Sequence, residues 1–524
     1  MFAALGLFWI TLLCLLVLSL KENKGLLVYA LDDAYIHMAI AKHFAQNTTW
    51  GVTRYAFSSS SSSPLWVLLL ASAYALVGVN DWVPFILNLV SSTGLVLLAY
   101  ILLRQYRATS RATGAALVTM IFVAPLPTLV FIGMEHTLHA LLTLAFVFCA
   151  AQALSPSSDQ NHRAALALLA LTPLITAIRL EGLFPIVAVS LLFIIQRRFI
   201  TAFALVGLGA MPVVAYGWVS IAHGWYFLAN SILLKSPLFD AVGIIDKLKL
   251  IAFQMPERIE FTPHLLWLVL GSALLVIRQL FAKTPRDARI LSLNVIFILS
   301  TLFHLMSAGL GWFYRYEAYL VILGVMVIAA SLVSSIPTSL HLPVERKWMP
   351  AYPAILLVAF LVLEPFGDRA WSALTQTPRA TTNIYQQQYQ MGLFLERFYP
   401  GEPVLANDIG AIDYLADIHL VDLAGLGTRQ IGELTLTSKM DMPALETIVS
   451  TEQVRIAIVY TDFLAARVGI PSRWVKVGEW KIRNNIVCTG DTVSFYAVDP
   501  GQVSYLHFSL QQFAEQLPAE VLKK

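Results

Sequence analysis

Hydrophobic residues in this chain come in long unbroken runs, not in the alternation of a half-buried strand or the stripe of a surface helix. Such runs occupy 2–20, 82–103, 113–132, 136–154, 199–221, 263–280, 290–309 and 317–335, most with no Asp, Glu, Lys or Arg inside. Crossing about 30 Å of hydrocarbon takes about 20 helical residues, so each predicts a membrane helix. Runs at 65–79, 164–178 and 180–195 are shorter, and the last lies at 350–364. The first run has no basic segment before it and no small-residue cleavage site before Lys21, so it predicts an uncleaved span.

The polar connectors fall into two alternating sets. One is basic: Arg104, Arg107 and Arg111, then Arg163, then Arg197-Arg198, then Lys283, Arg286 and Arg289, then Arg346-Lys347. The other holds Glu135, Glu181, the stretch 222–262, and Tyr314-Arg315-Tyr316-Glu317. Lys and Arg favour cytoplasmic loops, which puts the second set outside. The acidic pair Asp32-Asp33 joins that outer set only if 65–79 lies along the interface, as its Ser63-Pro64-Leu65-Trp66 start suits. The expectation is therefore about eleven spans in a membrane domain 1–364, with outer loops at 21–64 and 222–262. Within 21–64 the pattern predicts an amphipathic helix near 33–46 and a flexible linker at Ser58–Ser63.

Beyond 364 the polarity becomes ordinary, and 365–524 is long enough for one domain. Strands are predicted at 404–407, 419–423, 455–460, 474–480 and 493–498, and helices at 381–399 and 444–450. This is a soluble α/β domain, placed by span parity on the outer side of the cytoplasmic membrane.

Composition agrees with the pattern. The 524 residues are 58% hydrophobic and 13% charged, with a mean hydropathy of +0.70, which only a multi-span membrane protein of this size tolerates. A net charge of +3 without a basic stripe gives no reason to invoke nucleic acid. Cys14, Cys149 and Cys488 form no CxxC and no disulfide framework. No P-loop, GxGxxG after a strand, HExxH or G-x-S-x-G occurs, so the common nucleotide and hydrolase signatures are missing.

What remains is polar residues at the outer ends of the helices. Asp32 and Asp33 diverge by about 100° on a helix, so one can face a cavity while the other pairs. A desolvated carboxylate there is a stronger base for a hydroxyl proton; the competing reading is that Asp32 caps the helix that follows. Glu135 is either a sugar-hydroxyl ligand or an interfacial charge. Arg179 and Glu181 are either a phosphate clamp with its partner or an ion pair closing a helical hairpin. Lys235, with Asn230 before it, and Arg315, between Tyr314 and Tyr316, are either phosphate contacts or snorkelling cations. His37, His136 and His139 have helical spacing, but no third and fourth metal ligand is evident, so these histidines read as structural or acceptor contacts and no metal site is assigned.

The order of these motifs resembles the GT-C superfamily of membrane glycosyltransferases. It is carried by Asp32-Asp33-Ala34-Tyr35-Ile36, Ser62-Ser63-Pro64-Leu65-Trp66, Gly133-Met134-Glu135-His136, Arg179-Leu180-Glu181-Gly182, Asn230-Ser231 with Lys235, Tyr314-Arg315-Tyr316 and Asn407-Asp408-Ile409-Gly410. The nearest branches in this respect are the terminal arabinofuranosyltransferases and, further off, the protein O-mannosyltransferases. The chain departs from them in having Leu180 where relatives often carry proline, and in its serine run. The resemblance implies sugar transfer from a polyprenyl-phosphate donor to a hydroxyl of a glycan, lipid or protein at the outer membrane face. It assigns base chemistry to Asp32 and Asp33. Arg179, Lys235 and Arg315 would meet the donor phosphate. Glu135, His37, Glu181, Asn230 and Tyr314 would contact sugar or acceptor. No cofactor is required if those cations hold the phosphate, and a divalent metal is neither demanded nor excluded. A transporter or flippase of lipid-linked saccharides is the rival, and it calls for ionisable residues at the bilayer midplane rather than at one rim.

Overall fold

The computed structural model of the chain describes residues 1–155, 160–235, 243–281, 287–335 and 352–524. Lys283, Arg286, Arg346 and Lys347, used above for orientation, lie outside the described residues. The first part is helical: α1 (Phe2–Glu22), α2 (Asp33–Asn47), α3 (Pro64–Val77), α4 (Trp82–Gln105), α5 (Ser110–Val123), α6 (Leu126–Ile132), α7 (His136–Ala153) and α8 (Gln160–Ile178). There follow α9 (Leu183–Ile195), α10 (Phe199–Ala222), α11 (Asn230–Leu233), α12 (Ile244–Phe261), α13 (Pro263–Phe281), α14 (Ala288–Ser307), α15 (Ala318–Ser335) and α16 (Tyr352–Ile384).

Among the described residues, seven helical segments are long and apolar enough to cross a membrane: α1, α4, α5 with α6, α7, α10, α13 and α14. The apolar α3, α8, α9 and α15 are shorter. The predicted run 113–132 is broken between α5 and α6, where Pro125 and Pro127 interrupt the backbone hydrogen bonding. Burial separates centre from periphery. α7 is largely buried, whereas α10 turns apolar side chains outward, with Ile200 89% and Phe203 68% exposed. Only lipid covers such a face at low cost.

The connectors gather at two ends. At one, Arg104 Nη1 donates to the Ala108 carbonyl at 2.7 Å, Arg198 Nη1 donates to the Ala153 carbonyl at 2.7 Å, and the Arg289 guanidinium lies 6.0 Å from the Tyr106 ring centre. These are described members of the basic set. The acidic set lies at the other end, beneath the C-terminal domain.

Three sequence expectations are corrected here. α2 is not amphipathic: every residue from Ala34 to Ala41 is buried, because α3 packs on one side and the C-terminal domain on another. The serine run is not a flexible linker. Ser58, Ser59, Ser60, Ser61 and Ser63 are buried, and Ser60 Oγ donates to the Leu426 carbonyl at 2.7 Å while Ser220 Oγ donates to Ser59 Oγ at 2.9 Å. The span predicted at 350–364 does not stop there. α16 is 33 residues long and runs past Pro365 and Pro378, through a π-helical turn at Tyr385–Tyr389, into α17 (Gln390–Phe398). The separate helix expected at 381–399 is the far end of this rod, and the loop 222–262 contains α11 and α12.

The C-terminal domain continues with β1 (Pro403–Ala406), α18 (Gly410–Leu415), β2 (His419–Asp422), α19 (Arg429–Leu436), α20 (Met442–Thr451), β3 (Ile456–Val459) and α21 (Thr461–Arg467). It ends with β4 (Val475–Lys481), β5 (Thr492–Ala497), α22 (Val503–Phe513) and β6 (Leu522–Lys523). The five predicted strands are present, and β6 is added. The sheet order is β2-β1-β3-β5-β4-β6, parallel where β1 meets β2 and β3, antiparallel elsewhere. From β1 the chain goes through α18 to β2 on one side, and from β2 it returns past β1 to β3 on the other. That reversal opens a crevice at the carboxyl ends of β1 and β3, the usual place for a site in such sheets.

Candidate active site

The crevice of the sheet and the end of the helical bundle close on the same point. Asp32 opens α2 but makes no capping bond within it. Its two oxygens accept instead from the backbone N–H groups of Gly410 and Ala411, each at 2.8 Å, at the start of α18. The approach requires glycine, since a Cβ at Gly410 would fall 2.1 Å from the Asp32 carbonyl oxygen. Asp408, in the loop after β1, lies close enough to repel Asp32. Its Oδ2 accepts from Tyr460 Oη at 2.5 Å and from Gln388 Nε2 at 2.8 Å. Tyr460 follows β3, and Gln388 sits on the π turn, a distortion that recurs at functional sites.

The electrostatic consequences differ for the neighbouring acids. Burial, then the Asp408 charge, pushes Asp32 up to about 7, against the pull of its two backbone donors. Asp33 is also desolvated, but Lys235 and Arg315 overcome that and hold it below the usual carboxylate range. Arg315 Nη2 is 2.5 Å from Asp33 Oδ2, and Lys235 Nζ is 3.5 Å from Asp33 Oδ1. Arg315 is buried; Lys235 is 47% exposed, so the site opens on the Lys235 side.

Arg315 is aimed by an unusual backbone. Gly311, Trp312, Phe313 and Tyr314 have φ of 65°, 41°, 60° and 68°. A left-handed conformation costs about 1–2 kcal/mol for each non-glycine residue, so other contacts must hold this turn. Glu317 accepts from the Gly311 N–H at 2.9 Å and from Arg369 Nη1 at 2.6 Å, and Arg369 Nη2 donates to the Tyr314 carbonyl at 2.9 Å. Arg369 belongs to α16, so the rod that leads to the C-terminal domain also fixes the arginine loop. The Tyr314 hydroxyl turns away from the acids and donates to Gln376 Oε1 at 3.1 Å.

A second ionic group lies behind the first. Arg179 donates to Glu135 Oε1, and through Nη2 to Glu181 Oε1 at 2.5 Å and Nε to Glu181 Oε2 at 3.1 Å. Burial raises Glu135, but Arg179 and then His37 outweigh it and keep the carboxyl below its ordinary range. His37 Nε2 is 3.9 Å from Glu135 Oε2, and its Nδ1 is 3.2 Å from Ser61 Oγ; burial shifts this imidazole below its ordinary range. Tyr316 joins the groups, with its ring 4.7 Å from the Arg315 guanidinium and 5.7 Å from that of Arg179.

The predicted residues are thus largely brought together. Asp33, Arg315 and Lys235 form one ionic cluster, and Glu135, Arg179, Glu181 and His37 form an adjoining one. Asn230 does not face either. It is fully buried and donates to the Gly425 carbonyl at 2.8 Å, tying the 223–235 loop to the C-terminal domain. Tyr314 contributes its backbone rather than its hydroxyl. Sequence reading missed Asp408, Tyr460, Gln388, Glu317 and Arg369 as site residues. Asp408 stood in the Asn407-Asp408-Ile409-Gly410 motif and Glu317 in the outer polar set, but neither was given a role; the other three had no usable signal. Among the described residues no group of three or more His, Cys, Asp and Glu is arranged to hold a metal ion. Beside Arg179, a narrow cleft is lined by Pro64, Leu180, Pro212, Val213, Phe227 and Ile232.

The helical bundle, its acid-bearing first loop and its C-terminal α/β domain define a polytopic membrane protein of the GT-C fold. Two solved structures of ArnT from Cupriavidus metallidurans share this fold, one bound to undecaprenyl phosphate and one in the apo state. Both are 13% identical to this chain, with TM-scores of 0.53 and 0.52, and each match covers 94% of this chain and 98% of that one. A family model described as a domain of unknown function (DUF8728) matches residues 382–496, which run from the last turn of α16 into β5. No curated protein matches the sequence.

Proposed function

We propose that this protein transfers a sugar from a polyprenyl-phosphate donor to a hydroxyl acceptor at the extracytoplasmic face of the cytoplasmic membrane. The observation that carries the reading is the meeting of Asp32, Asp33, Arg315 and Lys235 at one end of a bundle whose fold is that of ArnT, crystallised with undecaprenyl phosphate. In the reaction, the acceptor oxygen forms a bond to the anomeric carbon as the bond from that carbon to the phosphate oxygen breaks. The hydroxyl proton passes to Asp32. A carboxylate has about four lone-pair positions, so the two N–H bonds from Gly410 and Ala411 leave room for an incoming hydroxyl. Asp33 is too strongly paired to serve as the base; it keeps Arg315 and Lys235 poised. Those cations take up the charge on the departing phosphate, Arg315 through a planar fork that suits its oxygens.

Arg179 is given a different part from the phosphate contact first expected. Two carboxylates already occupy it, so it holds Glu135 and Glu181 in place for the sugar. The apolar cleft beside it suits part of the lipid chain. The test is incubation of purified protein with a panel of polyprenyl-phosphate sugars, with mass analysis of released polyprenyl phosphate and glycosylated acceptor. Release from at least one donor by the wild type, and none by Asp32→Asn, is expected. No release from any donor would overturn the reading.

A further inference from the structure

Asp32 meets the first residues of α18, and its last residues, Tyr414 and Leu415, line a separate cavity of about 500 Å³. Its wall includes Lys42 of α2, Asn80 and Asp81 before α4, Trp82 at its start, and Tyr414 of α18. The proposed reaction uses none of these residues, and the volume is within the range of small-ligand sites.

The framework is rigid. Tyr414 Oη donates to Asp81 Oδ1 at 2.7 Å, Lys42 Nζ donates to the Tyr414 carbonyl at 2.7 Å, and Tyr29 Oη donates to the Asp81 carbonyl at 2.5 Å. Hydrogen-bonding capacity is left over. Asn80 Oδ1 accepts from the Trp82 N–H at 2.8 Å, which leaves its amide N–H groups free among the described residues. Asp81 Oδ2 has no partner among the described residues, and Lys42 has further N–H groups. Trp82 lines the wall and is 40% exposed, so part of its ring is accessible. Donors, acceptors and a ring face together are what a sugar ring requires, with its hydroxyls around the edge and C–H groups on the flat side.

The charges argue against an anionic ligand. Among the described residues that line the wall Lys42 is the one cation and Asp81 the one anion, and Lys42 also feels Asp417, Glu396 and Asp413 against the opposing charge of Arg54. A phosphate would meet as much negative as positive charge. Placement also matters: Lys42 is nine residues after Asp33 on α2, about 13 Å along the helix. Every residue from Ala34 to Ala41 between them is buried, so the cavity is a site apart from the acid pair.

We propose that this cavity binds a neutral oligosaccharide. The binding does not rest on the glycosyltransferase reading. The experiment applies labelled full-length protein in detergent to an array of neutral mannose, glucose, galactose and arabinose oligosaccharides. At least one glycan should be bound, and Trp82→Ala and Asp81→Asn should each weaken it at least tenfold with unchanged melting temperature. Asp33→Asn should bind as the wild type does. Failure of the wild type to bind any glycan, or binding within twofold in both cavity variants, overturns the proposal. So does complete competition by phosphatidylglycerol vesicles, which would mark a headgroup site. Glycan binding without donor turnover would sink the transferase reading alone, and turnover without glycan binding would sink this proposal alone.

Discussion

Asp33 is pinned between Arg315 and Lys235, whereas Asp32 faces two backbone N–H groups and the charge of Asp408. The ionised fraction of Asp32 should therefore set the lower limb of the pH profile. With Asp32 raised to about 7, kcat/KM should fall roughly tenfold per pH unit below that value and level off above it. Asp408→Asn removes a like charge, so proton release from Asp32 becomes easier and the midpoint should move to lower pH. An unchanged midpoint in that variant would exclude Asp32 as the titrating base. Gly410→Ala tests the same group sterically. The added methyl would collide with Asp32, so transfer should drop by about 10²–10⁴-fold, the usual contribution of a general base, with protein still in the membrane. Wild-type turnover in Gly410→Ala would show that the acid need not be held there.

At the scale of elements, the least expected device is the left-handed turn Gly311–Tyr314 and its clamp. Arg369→Lys keeps the charge but loses the fork that reaches both Glu317 and the Tyr314 carbonyl. The turn should relax and Arg315 lose its aim. The expected result is a donor KM raised about tenfold, about 1.4 kcal/mol, with smaller effect on kcat. An equal fall in kcat at constant KM would point to chemistry rather than donor binding. This turn also marks where sequence reading stops. Tyr314-Arg315-Tyr316 could be singled out as polar at a helix end, but Arg369 is 54 positions further along, and no local pattern links it to Arg315. The same holds for the serine run. Six serines have a linker's composition, and only the tertiary fold brings Ser220, His37 and the Leu426 carbonyl to them. By contrast, the acidic pair, Glu135, Arg179, Glu181, Lys235 and Arg315 were legible, because polar residues flanking apolar runs must lie at helix ends. The strands of the C-terminal domain were legible, β3 as a short apolar run and β4 and β5 from alternation, but the docking of their crevice on Asp32 was not. That depends on the long α16 and on a π turn that no periodicity announces.

For the whole molecule, the decisive matter is which end of the bundle faces out. Asp33 with Arg315, and Glu135 with Arg179 and Glu181, share one end with the C-terminal domain, and Arg104, Arg198 and Arg289 share the other. Positive charge near helix ends favours the cytoplasm, so the first end should be extracytoplasmic. Cysteines can be placed at exposed sites of each end after Cys14, the exposed native thiol among the described residues, is changed to serine. Ala56→Cys in the first loop, Lys249→Cys in α12 and Lys439→Cys in the C-terminal domain should react with an impermeant maleimide in intact cells. Arg111→Cys and Gln196→Cys should react only after the membrane is opened. The geometry fixes the grouping, and the charge rule fixes its direction, so the two can fail separately. A split within the first three positions would contradict the fold. Labelling of all five in the reverse sense would leave the fold intact but put the acids in the cytosol. Nucleotide-sugars would then be available to them, and the argument for a lipid-carried donor would lose its physical basis, since only a sealed bilayer keeps such charged donors from an external site.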